Sequence, residues 1–350
     1  MVAVRLGIVW GLLLCIWISA GGCVTDLPLP DVSAERKLVL LGELVAGDTL
    51  AIRLGQSVPV AKGNALQTPD GTGLVATVAK PLRLVATIYP VADDRTASLN
   101  TLLLAAPLQL FAGASYVLRV SGGGFPEVLA AVDMPRPFLT ALIDTMSVRY
   151  AGSNALQIKL RIYDAPGTEN AYSVEAVRQS FRLSGSFQYG GGTYDLLRDK
   201  VLYDSLKAAG QTPPRNLDTT YNPLLERLPL YTDDAETENL KLATAYTNTR
   251  RILLTDKSFE GTSHDLRLYV SKDRFRGTPP YDLGRIMISV KSTTIPYFNY
   301  LRAYETFTPT TSAGYLSQPV RIESNVVNGL GVVGGSFRVP FYFMFDPDPF

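Results

Sequence analysis

A chain of 350 residues with 33 basic and 32 acidic side chains has no basic footprint, which excludes nucleic acid as a partner, because phosphate binding demands one. A single histidine, and two cysteines that the expected N-terminal processing would remove or acylate, also exclude the usual zinc sets, which need three or four His, Cys or carboxylate ligands and rarely use carboxylates alone. The length allows two domains, each built on an ordinary hydrophobic core.

The N-terminus carries Arg5, an apolar run from Leu6 to Ile18, and then Ser19, Ala20, Gly21 and Gly22 ahead of Cys23. Charge, apolar run and small residues in that order predict a secretory signal peptide over 1–22. The competing reading, an uncleaved transmembrane anchor, has only 13 strongly apolar residues to work with, whereas a spanning helix needs about 20. Gly21 and Gly22 before the cysteine resemble the lipobox of bacterial lipoproteins, although Ala20 stands where leucine is usual. Cleavage before Cys23 and acylation of its thiol are therefore expected, so Cys23 is the lipid-attachment residue and the membrane the first partner. Processing removes Cys15 and modifies Cys23, leaving neither a free thiol nor a disulfide to hold the mature fold. Loss of Arg5 balances the mature charge, and loss of Trp10 and Trp17 leaves an aromatic surface of tyrosine and phenylalanine alone. A tryptophan-lined sugar platform becomes less favoured, while a tyrosine-lined one stays open.

Residues 23–34 form the expected lipidated tether. Pro28 and Pro30 oppose regular structure, and the eleven residues after Cys23 reach at most roughly 40 Å from the bilayer.

From residue 35 onward alternation dominates. Leu50, Ile52 and Leu54 face one way, and Leu82, Leu84, Ala86 and Ile88 repeat the pattern, as do Tyr116, Leu118 and Val120. Period-two segments punctuated by Ala46-Gly47-Asp48 and Gly122-Gly123-Gly124 predict a β-sandwich over 35–137, and the segment from Phe111 to Val120 looks like the late strand of an immunoglobulin-like or transthyretin-like module. Pro135 and Pro137 mark a boundary. A second, mostly β domain with one or two helices is expected over 138–350. Its strands are read at Leu156 to Ile162, Leu266 to Val270, Ile286 to Val290 and Phe337 to Phe345. One helix is expected from Tyr194 to Ala209, ending at Gly210, with Leu197, Val201, Leu202 and Leu206 as its apolar stripe. A second begins near Pro296 with Tyr297, Leu301 and Tyr304 packing inward. Between them, residues 212–248 lose periodicity and carry four prolines, which marks either a functional loop or a disordered one.

His264 lies in Ser263-His264-Asp265, but neighbours on an extended chain point to opposite faces, so these three cannot form a relay with one another. A triad would have to recruit its partners from elsewhere in the fold, and a turn residue is the plainer reading. Asp233, Asp234, Glu236 and Glu238 are the calcium candidates, since calcium takes oxygen ligands alone. They lack the glycine and the spacing of a helix-loop-helix calcium loop, which favours a solvated acidic segment with no metal. Gly329-Leu330-Gly331-Val332-Val333-Gly334 matches the dinucleotide pattern by letter, yet too little chain follows it for the required helix and strand. A tight glycine loop into the last strand is expected instead, and no cofactor. The alternating Val339, Phe341, Phe343 and Phe345 also suit a closing barrel strand, which Pro347 and Pro349 oppose.

Four segments resemble an uncharacterised lipoprotein family of Bacteroidota, domain of unknown function 4249. They are Lys37 to Leu44 (KLVLLGEL), Leu254 to Gly261 (LTDKSFEG), the aromatic helix Tyr297 to Phe307, and Pro319 to Gly335 (PVRIESNVVNGLGVVGG). The resemblance implies an all-β N-terminal module, a second mostly β domain, attachment to the outer membrane and a neighbouring gene for a TonB-dependent transporter. It carries over no catalytic residue. Surface export in this phylum favours acidic residues after the lipidated cysteine, and only Asp26 qualifies, so either face of the membrane stays open. The expected function is non-enzymatic: an outer-membrane lipoprotein that binds a ligand or docks on a transporter. A hydrolase using the carboxylates of 212–248 and a structural or adhesion scaffold are the alternatives.

Overall fold

A computed structural model describes residues 36–57, 74–80, 83–91, 101–238, 250–278, 281–310 and 323–344. The leader, Cys23, the tether and the closing residues Phe345 to Phe350 lie outside them. Among the described residues no helix is long and apolar enough to cross a membrane.

The N-terminal region comprises β1 (Leu38–Val45), β2 (Thr49–Gln56), β3 (Val75–Lys80), β4 (Arg83–Val91), β5 (Leu102–Gln109), β6 (Ser115–Gly122) and β7 (Phe125–Asp133). One layer holds β1, β2 and β5, and the other holds β3, β6 and β7. β4 pairs with β3 through its first half and with β5 through its last residues, so it crosses between the layers. The period-two residues named above meet in this sandwich. Leu50, Ile52 and Leu54 from one layer and Tyr116, Leu118 and Val120 from the other are all buried in one core with Leu38, Leu40 and Leu44. Each fully buried side chain of this kind contributes about 1.5–3 kcal/mol, and the described residues adopt a mostly β fold with two α-helices.

The second region runs through β8 (Leu139–Tyr150), β9 (Ser153–Tyr163), β10 (Ala171–Tyr189), β11 (Gly192–Asp195), α1 (Lys200–Ala208), β12 (Arg215–Leu228), β13 (Arg251–Thr255), β14 (Ser263–Ser271), β15 (Arg276–Thr278), β16 (Tyr281–Thr293), α2 (Ile295–Thr310), β17 (Val326–Val327) and β18 (Leu330–Met344). It is layered. A three-stranded sheet in the order β14, β9, β8 packs on a long sheet containing β13, β10, β16 and β18. Ile158, Leu160, Ile162, Leu266, Leu268 and Val270 from the first meet Tyr172, Val174, Ile252, Ile286, Ile288 and Val290 from the second. Helix α2 covers the opposite face of the long sheet, where Tyr297, Phe298 and Leu301 pack on Ala171, Leu253 and Val332.

β18 belongs to both regions. Its first half pairs in parallel with β1, from Val39 opposite Leu330 to Val45 opposite Ser336, and its second half pairs antiparallel with β16. Val333 enters the N-terminal core, whereas Phe341 and Phe343 border the second.

Three expectations need correction. The segment 212–248 is not irregular throughout: Arg215 to Leu228 form β12, paired along β10. Both faces of β12 are largely exposed, so it shows no apolar alternation, and Pro223 falls at the register shift opposite Ser180, a place where a strand tolerates proline. The first helix starts at Lys200 rather than Tyr194, because Tyr194 pairs with Phe187 in a hairpin and the Asp195 carboxylate accepts the backbone N–H groups of Leu197 and Arg198 in a turn. Its buried residues are Tyr203 and Leu206, while Leu197 and Val201 face solvent. The glycine run is only partly a loop. Gly329 turns the chain, but Gly331 and Gly334 lie within β18, where they serve packing: a Cβ on Gly331 would come within 2.0 Å of the Leu40 carbonyl oxygen, and one on Gly334 within 2.1 Å of the Tyr297 ring.

Candidate functional site

β14 alternates between two environments. His264, Leu266, Leu268 and Val270 point toward the core, and Asp265, Arg267, Tyr269 and Ser271 toward the outer face of the three-stranded sheet. The segment that follows β12 lies against this strand. Tyr231 and Tyr269 exchange backbone hydrogen bonds of 3.1 and 2.8 Å, and the Thr232 hydroxyl donates to the Arg267 carbonyl at 2.7 Å. The acidic run is thereby stapled along β14 rather than free in solvent.

Three of its four carboxylates meet different partners. Asp233 accepts from the Tyr269 hydroxyl at 3.0 Å and lies 3.4 Å from Arg267. Asp234 meets His264 Nε2 at 2.6 Å, and its other oxygen accepts the Glu236 N–H at 3.0 Å. Glu238 lies 3.6 Å from Arg302 on α2. Among the described residues no group of three or more His, Cys, Asp or Glu converges as a metal site would require, and of the four calcium candidates Asp233, Asp234 and Glu238 are directed to separate partners.

His264 does recruit an aspartate from elsewhere in the chain, and it is Asp234, not the neighbouring Asp265. Phe259 stacks on its ring with centroids 4.8 Å apart. The hydrogen bond to Asp234 holds the imidazole pKa above its ordinary value, against the opposing pull of burial. Burial pushes Asp234 up, and the bond to His264, the Glu236 N–H and the nearby charges of His264 and Arg267 together outweigh it and hold the carboxyl below its usual range. Asp265 is occupied with Arg161 at 2.5 Å and Lys159 at 3.0 Å across the sheet.

Beside the acidic segment the outer face opens into a pocket of about 210 Å³ lined by Tyr150, Ala151, Ser153, Ala155, Tyr231, Tyr269 and Ser271. Tyr150 stacks on Tyr269 with centroids 4.0 Å apart and planes within 13°, and Tyr231 stands 6.0 Å from Tyr150 at 42°. The small side chains of Ser153, Ala155 and Ser271 leave the space between and beneath these rings unfilled. The mouth lies at the two-residue hairpin that joins β8 to β9, where Tyr150 pairs with Ser153. Ala151 there has φ 48° and Gly152 φ 83°. Such a tight hairpin requires left-handed backbone at both central positions, and a non-glycine residue held there costs roughly 1–2 kcal/mol. A strained alanine on the lip of an aromatic pocket is the kind of outlier that clusters at binding sites. A wider depression of about 340 Å³ runs past Val132, Asn170, Thr294 and Asn325, but no aromatic ring lines it.

A second polar cluster lies beneath α2. Lys291 on β16 is 3.0 Å from both Glu43 oxygens and 2.5 Å from Glu175 on β10. Arg251 on β13 lies 3.7 Å from Glu175 and 3.1 Å from Glu305 on α2. Ser336 donates to Glu43 at 2.8 Å. Lys291, Glu175, Arg251 and Glu305 keep a tenth or so of their side-chain surface at most. Burial raises the Glu175 pKa, but Lys291, Arg227 and Arg251 together more than offset it and hold the carboxyl below its usual range. Its charged members tie five elements together, and Ser336 adds β18.

The motif Leu254 to Gly261 has a structural task. The Asp256 carboxylate accepts the Asn170 N–H at 2.6 Å, Phe259 is buried, and Gly261 sits against Pro166 and donates its N–H to Asp164 at 2.9 Å. Asp164 also accepts from the Tyr172 hydroxyl at 2.6 Å. The motif therefore fastens the turn between β9 and β10 under the core.

The three pocket tyrosines and the buried cluster escaped sequence reasoning. Single charges inside apolar runs, Glu43 in LVLLGELV, Glu175 in VEAV and Lys291 after IMISV, were a readable signal for the cluster, since a charge among buried strand residues must find a partner. Tyr150, Tyr231 and Tyr269 come from three separate segments, and only the pairing of β8, β9 and β14 assembles them.

No protein-family model matches this sequence, and no curated protein matches it significantly. Among solved structures, the chain is similar to the full-length major pilin SpaD from Corynebacterium diphtheriae, at 10% identity and a TM-score of 0.18, over 73% of this chain and 61% of the pilin. The chain thus spans less than two thirds of the pilin's length.

Proposed function

We propose that this protein is a lipid-anchored, non-enzymatic ligand-binding protein of the outer membrane that works beside a TonB-dependent transporter. The observation that carries the binding half is the tyrosine pocket at the β8 to β9 hairpin, a concave site with aromatic walls and a few polar groups, as small-molecule sites have. Anchoring rests on the leader and Cys23. Each buried methylene of an acyl chain contributes about 0.8 kcal/mol, so stable attachment takes more than one chain. The transporter and the outer membrane follow from the resemblance of the four segments to the Bacteroidota lipoprotein family.

Two measurements test the reading. Metabolic labelling with a radioactive fatty acid should mark the wild-type chain and not the Cys23→Ala variant, which should leave the membrane fraction. Crosslinking of intact envelopes should recover a TonB-dependent transporter with the protein. An unmodified N-terminus, or Cys23→Ala protein still retained in membranes, refutes the anchor. A crosslinked set that never contains a transporter refutes the partnership.

A further inference from the structure

We infer that the pocket formed by Tyr150, Tyr231 and Tyr269 binds one ring of a neutral saccharide. The inference rests on the ligand-binding reading above and names the class of ligand. Four observations carry it.

The first is size. At about 210 Å³ the pocket is smaller than the roughly 300–1,000 Å³ of sites that bury a drug-sized ligand, so it takes a single ring and leaves any continuation of the ligand in solvent. The second is the wall. Tyrosine presents an apolar ring and a polar tip together, which matches a pyranose with its C–H face and its rim of hydroxyls. The third is the polar part of the lining. Ser153 and Ser271 carry hydroxyls that both donate and accept, as a ligand of hydroxyls needs and an apolar ligand does not.

The fourth observation is charge, and it separates a saccharide from the main competitor. Three tyrosines near an aspartate would suit a quaternary ammonium group, which aromatic cages hold by cation–π attraction. Asp233, however, already lies 3.4 Å from Arg267 and accepts from the Tyr269 hydroxyl. Its charge is balanced before any ligand arrives. Tyr150 and Tyr269 are also near-parallel with centroids 4.0 Å apart, so much of their facing surface is spent on each other rather than wrapped around a cation. The pocket lining itself carries no charged side chain, so neither an ammonium nor a carboxylate ligand would gain an unpaired countercharge there, whereas a neutral ligand of hydroxyls needs none.

The test is saturation-transfer NMR on the full chain, purified in a detergent without a sugar headgroup, with cellotetraose, xylotetraose, mannotetraose and galactotetraose as neutral probes and tetramethylammonium and phenylacetate as charged ones. At least one tetrasaccharide should receive saturation, concentrated on the protons of a single ring. Tyr150→Ala and Tyr231→Ala should weaken that binding about tenfold or more, equivalent to about 1.4 kcal/mol or more. Tyr189→Ala, on an exposed strand end away from the pocket, should leave it unchanged. Tyr150→Phe keeps the ring and should retain most of the binding, which guards against a loss that merely reports unfolding. Binding of tetramethylammonium or phenylacetate alone, abolished by the same alanine variants, overturns the saccharide assignment and leaves the ligand-binding reading standing. Saccharide binding indifferent to Tyr150→Ala and Tyr231→Ala overturns the location. Binding of none of the six probes overturns the saccharide inference, and the labelling and crosslinking measurements above then decide the broader reading separately.

Discussion

The polar cluster under α2 and the acidic segment on β14 use the same residue types to different ends. Under the helix, Lys291 is shared by Glu43 and Glu175 and Arg251 by Glu175 and Glu305, so removing a member leaves a buried charge short of a partner. Along β14 the pair nearest solvent is Asp233 with Arg267, which keep roughly half their side chains exposed, while Asp234 meets the more buried His264. Exposed pairs of that kind contribute about 0–1 kcal/mol. The buried cluster specifies how five elements meet; the outer segment can be altered cheaply, and it is there that a pocket opens.

The largest expected effect breaks the buried side of this comparison. Lys291→Met leaves Glu43 without its ammonium and Glu175 with only the more distant arginines Arg227 and Arg251, and should lower the urea unfolding free energy by about 3–5 kcal/mol. Replacing the trio together, with Glu43→Gln, Glu175→Gln and Lys291→Met, should cost less than the single change, because no orphaned charge remains. A single variant no less stable than wild type would show that the cluster is dispensable. Asp233→Asn, by contrast, should stay within about 1 kcal/mol of wild type.

Next comes the seat of the helix above that cluster. Gly334→Ala drives a methyl group into the Tyr297 ring and should cost about 1–3 kcal/mol, with the near-ultraviolet tyrosine signal altered. An unperturbed urea midpoint would show that α2 rides freely on β18.

Smaller again is a pH effect on the outer side. Because the folded state raises the His264 pKa, the pairing with Asp234 stabilises fully below the unfolded value of about 6.5 and fades as pH rises through the folded one. Asp234, whose pKa is lowered, adds stability above about 3.9 that is lost as pH falls through its folded value. The gap in urea midpoint between wild type and His264→Asn should therefore be wider at pH 5.5 than at pH 9. A gap that grows with pH reverses the sign and refutes the assignment. The smallest effect is at the hairpin: Ala151→Gly removes left-handed strain but loosens the unfolded chain, so a net gain of about 0.5 kcal/mol is expected by thermal or urea unfolding. A loss of stability would mean that the alanine methyl group packs usefully at the pocket lip.

Strands with one buried face were legible, because a period of two survives only where one side meets a core. Leu156, Ile158, Leu160 and Ile162 are an example, and so is the Ile286, Ile288 and Val290 series, both meeting in the second core. β12 was illegible for the complementary reason: with solvent on both sides, Arg215 to Leu228 had no face to encode. The stripe of Tyr297 and Leu301 was read correctly as packing, while the glycines beneath it were taken for a loop, since only the crossing of α2 over β18 shows why Gly334 must lack a side chain. The site was less legible than the fold. His264 and the acidic run were both noticed, but as separate features 30 residues apart, and the pocket depends on strand pairing that no local pattern announces.

The parallel pairing of β1 with β18 has a kinetic consequence. Val39 and Leu330 are neighbours in the sheet and stand near opposite ends of the described chain, so the loop they close is among the longest this polypeptide can form, and contacts of that separation slow folding. Until β18 is in place, β1 presents an open edge, the N-terminal core lacks Val333, and the second core lacks Phe341 and Phe343. A chain synthesised N-terminus first cannot complete either core until β18 has been made. Folding of a partial chain is thereby discouraged by topology alone, and truncation before Leu330 should yield a protease-sensitive product rather than an intact N-terminal domain.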